Sequence, residues 1–338
     1  MTSGQHLSRE LYNLIQSIGS TSSKQEEDKI ILADLASLKA SLSNTNPPEK
    51  KVKEFLIRAI YAEMLGHDAS VAHIHAVILS QSKTLSLKRM GYLACSLFLY
   101  PESDLVILLV ATMRKDLASK DIQEIIIALN TVTKIISAPI ANALVDSVMK
   151  LLTHHDENVR KKSIVTLHKI YYVSPDSVPN FLDKLELVLS DRNPSVVGVV
   201  LSIYFELIKK NPQPFKRLVG QFVPILTQII DNKFPKEYLY HGIPAPWIQI
   251  KLLQILGLIG AHDPKISEEV YETLSQTLKR SDNTGINIGF AVTYQCVKTI
   301  ANVYPNQKLL EAAATTVSKF LNGQAYTNAN NLKYLGKC

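Results

Sequence analysis

The sequence contains few of the residues that break or cross-link a chain. Glycine and proline number only 13 and 15 among 338 residues, which excludes a collagen-like or low-complexity chain. The three cysteines are far apart, so they form neither a disulfide framework nor a metal-ligand spacing. Aromatic residues make up 7% of the chain, fewer than a β-sandwich needs. The densest apolar run, residues 105–112, is far shorter than the roughly 20 residues of a membrane span.

Aliphatic residues and lysine dominate what is present. With 46% hydrophobic and 20% charged residues, the chain can bury a large core, which excludes disorder as its main state. The formal charge of +7 and pI near 9.1 favour an anionic partner, either lipid headgroups or nucleic acid. Because the basic residues are dispersed along the chain and recur at no fixed spacing, nucleic acid is not expected as the partner. A lysine-rich surface without a partner explains the charge equally well.

Two neighbouring stretches repeat each other. Each begins with an aspartate at a turn, continues as a helix, and ends at a proline before a second helix. The first opens at Asp156 and closes at Pro175, and the second opens at Asp191 and closes at Pro212. Apolar residues recur at spacings of three and four, as in amphipathic helices. An aspartate that caps the inner helix of a two-helix unit is typical of HEAT and armadillo repeats.

The same periodicity extends along the rest of the chain. It predicts helices at residues 25–42, 51–65, 71–82, 88–99, 105–115, 122–136, 141–152, 215–230, 246–259, 267–279, 287–303 and 307–321. At roughly 40 residues per repeat, about eight repeats fit. The predicted fold is all-α, a right-handed α-solenoid of HEAT/armadillo-like helical repeats that occupies residues 1–338 as one continuous domain. Residues 331–335 look like the start of a further inner helix, so we expect the chain to be truncated at its C-terminus.

The sequence lacks the motifs of common catalytic sites. No Gly-x-x-x-x-Gly-Lys-Ser/Thr, His-Glu-x-x-His or Gly-x-Ser-x-Gly pattern occurs. His73 and His75 are two residues apart and would diverge on a helix, so they cannot share a metal. Cys95 lies among apolar residues, which favours a buried structural thiol over a nucleophile. We therefore expect a binding protein that is not an enzyme and needs no cofactor or metal.

A lysine-rich segment carries the best functional signal that spacing alone provides. Two prolines end at residue 48 and predict the start of a helix. The first turns of this helix carry Lys50, Lys51 and Lys53, and Arg58 follows. Cations at a helix N-terminus oppose the helix dipole, so a phosphate or an anionic lipid headgroup would compensate them. A basic corner that contacts only water is the alternative.

Several stretches resemble the opening repeats of the large adaptin subunits of clathrin-adaptor-type complexes. They are residues 60–70 (IYAEMLGHDAS), 88–93 (KRMGYL), 115–119 (KDLAS), 159–162 (VRKK) and 331–335 (NLKYL). The resemblance covers essentially the whole chain, and several motifs occur in the family's order. Within the family, residues 240–253 (YHGIPAPWIQIKLL) and 73–76 (HIHA) are most similar to the epsilon type of adaptor protein complex 4. The gamma and alpha types are its neighbours.

The resemblance implies a function as well as a fold. Such a subunit is the trunk of a heterotetramer with a beta-type, a medium and a small subunit. An Arf-family GTPase in its GTP-bound form recruits the complex from the cytoplasm to trans-Golgi network membranes, an anionic surface on which it is peripheral. The complex then sorts cargo tails into vesicles. The trunk itself binds and scaffolds, and it catalyses nothing.

The resemblance also implies contact sites. In gamma adaptin the Arf contact uses apolar positions that fall on Ile74, Val77 and Leu108 here. Packing between repeats is the other explanation for these side chains. Gly19 stands where alpha and gamma adaptins have an arginine that reads acidic dileucine signals, so the resemblance does not extend to recognition of that signal.

A phosphoinositide site of alpha adaptin aligns with Lys53 and Arg58. Val52 and Glu54 stand where that subunit has two lysines, which argues against a strong inositide site. Neighbouring lysines partly compensate. The predicted membrane-contacting residues are therefore Lys50, Lys51, Lys53 and Arg58.

Other solenoid binders provide the alternative function. A nuclear-transport receptor of the importin type would line its concave face with repeated Trp-x-x-x-Asn pairs. The single tryptophan, Trp247, is followed at that spacing by Lys251, which counts against this alternative. A phosphatase scaffold belongs to the same class of solenoid.

Overall fold

The structure is a computed structural model that describes residues 8–43, 47–281 and 287–322. Its helices are α1 Arg9–Gly19, α2 Lys24–Ser43, α3 Glu49–Met64, α4 His73–Leu79, α5 Leu85–Phe98, α6 Asp104–Leu117, α7 Ile122–Ile135, α8 Ala138–Lys150, α9 Glu157–Val173, α10 Phe181–Leu189, α11 Pro194–Lys210, α12 Val219–Ile230, α13 Pro246–Ile259, α14 Pro264–Ser281, α15 Asn287–Asn302 and α16 Gln307–Asn322. Strands β1 Leu239–Tyr240 and β2 Ile243–Pro244 pair antiparallel as a short hairpin. The predicted all-α fold is confirmed.

The predicted helices differ from the observed ones mainly at polar segments. The helix predicted at 71–82 is shorter in the structure. A 3₁₀ turn, Ser70–Ala72, precedes α4, and the chain turns after Leu79. There the Ser82 hydroxyl accepts a hydrogen bond from the Thr84 N–H and donates one to Glu49. The predicted helix at 215–230 likewise begins as a 3₁₀ turn, Gln213–Leu218. The periodicity did not predict α1 or the hairpin, and residues 331–335 lie outside the described residues.

Asx residues cap the two helices of the predicted repeat in different ways. The Asp156 carboxylate accepts from the N–H groups of Asn158 and Val159, and it caps α9 as predicted. The prediction that Asp191 caps α11 was wrong, because Pro194 occupies the first helical position and makes Asn193 the cap. The Asp191 carboxylate instead accepts from the Asn193 N–H at 2.8 Å, which holds the turn before the cap.

The helices stack in two layers within each of two compact units, Met1–Lys184 and Leu185–Cys338. In the first unit α3, α5, α7 and α9 pack in succession, and α4, α6 and α8 pack beside them as a second layer. In the second unit α11, α13 and α15 form one layer, and α12 and α14 pack against each other, with α16 against α14. This two-layer stacking of consecutive helices is that of an α-solenoid. The single continuous domain at residues 1–338 stays a prediction.

A glycine allows a close approach between the two layers of the first unit. A Cβ atom on Gly91 of α5 would lie 2.6 Å from the Leu79 carbonyl carbon and 2.7 Å from the Ser80 Cα. Any side chain at this position would therefore collide with the backbone at the end of α4. The absence of one lets α4 lie directly on α5, so Gly91 determines where the side chains of α4 are presented.

The hairpin of the second unit directs the chain into α13. His241, Gly242 and Ala245 adopt positive φ angles of 50°, 81° and 39°, and Gly242 does so without a Cβ penalty. The Gln249 amide donates to the Pro244 carbonyl at 2.6 Å. The Tyr238 hydroxyl donates to the Asn193 side chain at 2.9 Å, which ties the hairpin to the start of α11.

Candidate docking surfaces

Two of the motifs singled out in the sequence meet in one buried network in the first unit. The Lys88 ammonium of α5 donates to Asp116 of α6 and to Glu124 of α7, each at 2.7 Å. The Tyr92 hydroxyl donates to the other Asp116 oxygen at 2.8 Å, and Ser119 donates to Glu124 at 2.6 Å. Because every charged member has partners, the network holds α5, α6 and α7 together. Its role is to position the helices that carry the surfaces described next.

The pKa shifts in this network follow from its geometry. Burial lowers the pKa of Lys88, but the hydrogen bonds that Lys88 donates to Asp116 and Glu124 outweigh burial and leave that pKa raised. The hydrogen bonds from Lys88 and Ser119 lower the pKa of Glu124. Burial, with the nearby Asp116 charge, raises the pKa of Tyr92. These groups therefore keep their ordinary charge states at neutral pH, which suits a structural network and not an acid–base site.

An apolar patch lies on the solvent side of α4 and α6, which pack against each other. Ile74 and Ile78 are one turn apart on α4 and are 37% and 58% exposed. Ile107 and Leu108 on α6 are 71% and 53% exposed. Contiguous exposed apolar side chains mark surfaces that other proteins cover, which makes these residues of two neighbouring helices a candidate for such a surface. We call these four residues the α4/α6 patch.

The three residues of the predicted GTPase contact differ in their exposure to solvent. Ile74 and Leu108 are exposed in the α4/α6 patch, whereas Val77 is 2% exposed and packs inside the unit. Ile78 and Ile107 belong to the patch but were not among the predicted residues. The four-residue spacing of Ile74 and Ile78 could have indicated Ile78. Nothing in the local sequence distinguishes Ile107 from a core residue.

A basic cleft lies where the N-termini of three helices of the first unit meet. The cleft, of about 320 Å³, is lined by Ser8, Leu11, Lys50, Lys53, Glu54, Ile57, Thr84, Ser86 and Leu87. Ser8 precedes α1, and Thr84 precedes α5; Lys50 and Lys53 are in the first turns of α3. Helix N-termini carry partial positive charge and free N–H groups, which adds to the charge of the lysines. The lining therefore suits a phosphate group, and Glu54 is its one carboxylate.

The four predicted membrane residues separate into two environments. Lys50 and Lys51 are exposed and Lys53 is half-buried at the cleft. Arg58 is 8% exposed, and its guanidinium forms an ion pair with Asp34 of α2. Removing one partner of such a buried pair destabilises a protein by several kcal/mol. Arg58 thus joins α3 to α2, and the lipid contact stays a prediction for the three lysines.

The described residues contain neither a cluster of metal ligands nor a helix that could span a membrane. None of the His, Cys, Asp and Glu side chains in the described ranges forms a group of three or more that could hold a metal ion. Across residues 8–43, 47–281 and 287–322, no helix is both long and apolar enough to span a bilayer. Cys95 and Cys296 are buried, and burial raises the pKa of each thiol to about 12. Both thiols therefore stay protonated at neutral pH, as the prediction of a structural Cys95 required.

The stacked helices and the two exposed surfaces are those of a helical-repeat scaffold. Residues 27–336 match the family described as the adaptin N terminal region, so the chain belongs to this family. The AP-4 complex subunit epsilon of Arabidopsis thaliana is 42% identical over 97% of this chain and 34% of its own length. The AP-4 complex subunit epsilon-1 of Mus musculus is 41% identical over 96% of this chain and 29% of its own length. The AP-1 complex subunit gamma of Dictyostelium discoideum is 25% identical over 97% of this chain and 36% of its own length.

These comparisons confirm the resemblance to the epsilon type. The chain spans about a third of the length of these curated relatives. Two structures share the fold. A homology model of the full-length AP-3 complex in an intermediate open conformation matches with a TM-score of 0.55 at 24% identity, over 80% of this chain and 50% of that one. Kap121p bound to Nup53p matches with a TM-score of 0.57 at 13% identity, over 94% and 35%. At these identities both likenesses support the fold alone.

Proposed function

We propose that the chain is the trunk of a large subunit of a heterotetrameric vesicle-coat adaptor of the AP-4 type. It scaffolds a beta-type, a medium and a small subunit, and the assembled complex sorts cargo tails at trans-Golgi network membranes. The observation that carries the proposal is the 42% identity to an AP-4 epsilon subunit over 97% of the chain. Adaptins are structural coat scaffolds, and the trunk takes part in no catalytic step.

The α4/α6 patch is the proposed contact for an Arf-family GTPase in its GTP-bound form. Ile74 and Leu108, the two predicted contact residues that are exposed, lie in it together with Ile78 and Ile107. Val77 is on the same helix as Ile74 and Ile78, but its side chain is buried, so it stabilises the position of α4 and does not contact the partner. Gly91 and the Lys88–Asp116 network fix α4 and α6 in place before the partner arrives, which lowers the entropic cost of binding.

Charge placed in the patch tests this contact. Ile78→Asp, in the complex assembled with its other subunits, should weaken binding of the GTP-loaded GTPase at least tenfold, because a carboxylate would be buried at the centre of an apolar interface. The measurement is a pull-down with the GTPase locked by a non-hydrolysable GTP analogue. Leu32→Asp on α2 is the matched control, because Leu32 is also 58% exposed. Equal loss in both variants, or failure of the Ile78 variant to retain the other subunits, would contradict the proposal.

The basic cleft is the proposed contact for an anionic lipid headgroup. A phosphate in the cleft would face Lys50 and Lys53 and the N-termini of α1, α3 and α5. The double variant Lys50→Glu/Lys53→Glu should therefore reduce flotation of the assembled complex with phosphoinositide-containing vesicles about tenfold at low salt. Lys39→Glu, an exposed lysine on α2, provides the control for net charge. Undiminished flotation of the double variant would rule the cleft out as the lipid site.

A further inference from the structure

The layer of the second unit formed by α11, α13 and α15 carries aromatic and lysine side chains on its solvent side. Trp247 of α13 is 61% exposed and Tyr294 of α15 is 42% exposed. Lys251 of α13 extends over the ring of Phe205 on α11, with Nζ 4.2 Å from the ring centroid. Lys298 of α15 is also exposed. We call these five residues the lysine–aromatic strip.

Helix geometry places the members of the strip side by side. Trp247 and Lys251 are four residues apart in α13, so they lie on the same face. The Thr299 hydroxyl of α15 donates to the Leu253 carbonyl of α13 at 2.8 Å. Tyr294 precedes Thr299 by little more than one turn, which brings it level with the first turns of α13, where Trp247 lies. The strip therefore crosses three neighbouring helices.

The charge of this layer has one dominant sign. Along α11, α13 and α15 the charged residues are Glu206, Lys209, Lys210, Lys251 and Lys298, an excess of three positive charges. The helices α13 and α15 contain no carboxylate. In α14 of the same unit acidic and basic residues balance. The excess of positive charge therefore belongs to the layer that carries the exposed aromatic rings.

Two polar groups in this layer lack the partner that burial requires. Lys251 is half-buried and, within the described residues, has neither a hydrogen bond nor an ion pair. Burial lowers the pKa of Lys251, and the more distant Glu206 offsets this only in part. The Gln254 amide oxygen, one turn further along α13, is buried with no hydrogen-bond donor among the described residues. A partly desolvated cation and an unpaired acceptor are groups that a bound ligand would satisfy.

We propose that the lysine–aromatic strip binds an extended acidic peptide segment of a partner protein. A carboxylate of the peptide would pair with Lys251, and an apolar side chain would stack on Trp247 and Tyr294. Once the Gln254 amide turned outward, its oxygen, which is now buried, would accept from a backbone N–H of the peptide, whereas a lipid phosphodiester has no donor to offer it. The strip consists of residues of the second unit only, whereas the α4/α6 patch and the basic cleft consist of residues of the first, and its function does not depend on which adaptor complex the chain joins.

The position of the tryptophan makes the proposal directly measurable. Trp247 is the only tryptophan of the chain, so its fluorescence reports on the strip alone. The probe is a synthetic peptide of glutamates with one leucine and one phenylalanine, titrated into the full chain at low salt. The matched probe has every glutamate replaced by glutamine. Lys251→Met and Lys251→Glu test the central cation, and Lys265→Glu, an exposed lysine of α14, is the charge control.

The proposal predicts that the acidic peptide changes the Trp247 emission and that the glutamine peptide binds at least tenfold more weakly. Lys251→Met should weaken the acidic peptide about tenfold and Lys251→Glu more, whereas Lys265→Glu should leave it unchanged within twofold. Because residue 251 is half-buried, Lys298→Glu provides a second variant at an exposed position, with a severalfold loss expected. Equal binding of both peptides would overturn the proposal. So would a change in Trp247 emission with anionic vesicles or RNA but not with the peptide.

Discussion

Two lysines in corresponding layers of the two units have opposite surroundings. Lys88 of α5 is almost completely buried, yet hydrogen bonds to Asp116 and Glu124 leave its pKa raised. Lys251 of α13 is only half-buried, yet burial lowers its pKa, because Glu206 offsets burial only in part and no carboxylate accepts a hydrogen bond from its ammonium within the described residues. Burial alone therefore does not decide the state of a lysine. The carboxylates within hydrogen-bond distance decide it.

The difference separates a structural role from a binding role. The Lys88 network satisfies its own charges, so it stabilises the contact between three helices and has no capacity left for a ligand. The Lys251 ammonium is partly desolvated and donates no hydrogen bond within the described residues, so an external carboxylate would gain more there than at a fully exposed lysine. The comparison predicts that variants near Lys88 change the stability of the protein, whereas variants near Lys251 change its binding.

The largest expected effect comes from removing the shared carboxylate of the Lys88 network. Asp116→Ala would take a buried partner from both the Lys88 ammonium and the Tyr92 hydroxyl. We expect the free energy of unfolding to fall by about 3 kcal/mol, the typical cost of an uncompensated buried charge. Urea denaturation followed by circular dichroism measures it. Lys120→Ala, an exposed position nearby, should change it by less than about 0.5 kcal/mol. A similar value for both variants would mean that the network does not stabilise the unit.

A smaller effect on the free energy of unfolding is expected at two helical glycines, one in α5 of the first unit and one in α11 of the second. Gly91→Ala would place a Cβ 2.6 Å from the Leu79 carbonyl carbon, so α4 must shift. This overpacking should cost about 1–3 kcal/mol. At Gly198 of α11 the new Cβ would meet Ile248 Cγ1 at 3.5 Å, an ordinary contact. Gly198→Ala should therefore be neutral, or stabilising by up to about 1 kcal/mol through helix propensity. Thermal unfolding of the two variants tests this difference. A loss of stability in the Gly198 variant but not in the Gly91 variant would contradict it.

The smallest effect concerns the reactivity of the two lysines and leaves the fold unchanged. Only a neutral amine is acylated, so a lowered pKa moves the rise in reactivity to lower pH and a raised pKa moves it to higher pH. The pH midpoint for labelling of Lys251 should lie below the ordinary lysine value of 10.5, and that of Lys88 above it. Mass spectrometry after brief acylation at a series of pH values on both sides of 10.5 measures the extent of labelling at both lysines in the same samples. Midpoints in the opposite order would refute the comparison.

Local signals were sufficient for most of the helices. The apolar spacing predicted α13 at Pro246–Ile259. The cap at Asp156 could be predicted because this residue directly precedes its helix. The cap of α11 was assigned two residues too early, since Pro194 moves the helix start. The hairpin at Leu239–Pro244 was missed because each strand has only two residues and shows no alternation of its own.

The surfaces were harder to predict than the helices. Ile74, Val77 and Leu108 look alike in sequence, but only the structure shows that Val77 is buried and that Ile74 and Leu108 are exposed to solvent. Arg58 looked like part of a basic cluster until Asp34, 24 residues earlier in the chain, proved to be its partner. The strip around Lys251 had no sequence signal, because its members come from three helices that meet only in the folded unit.

By itself the sequence determined the class of fold, the position of most helices and the family, because amphipathic period, caps and family motifs are properties of short segments. Only the tertiary structure decided which lysine is paired, which isoleucine is exposed and why residue 91 must be glycine. Each of those depends on an atom contributed by another helix. Ionic and packing energies act over a few ångströms in space, and the sequence order does not record that distance.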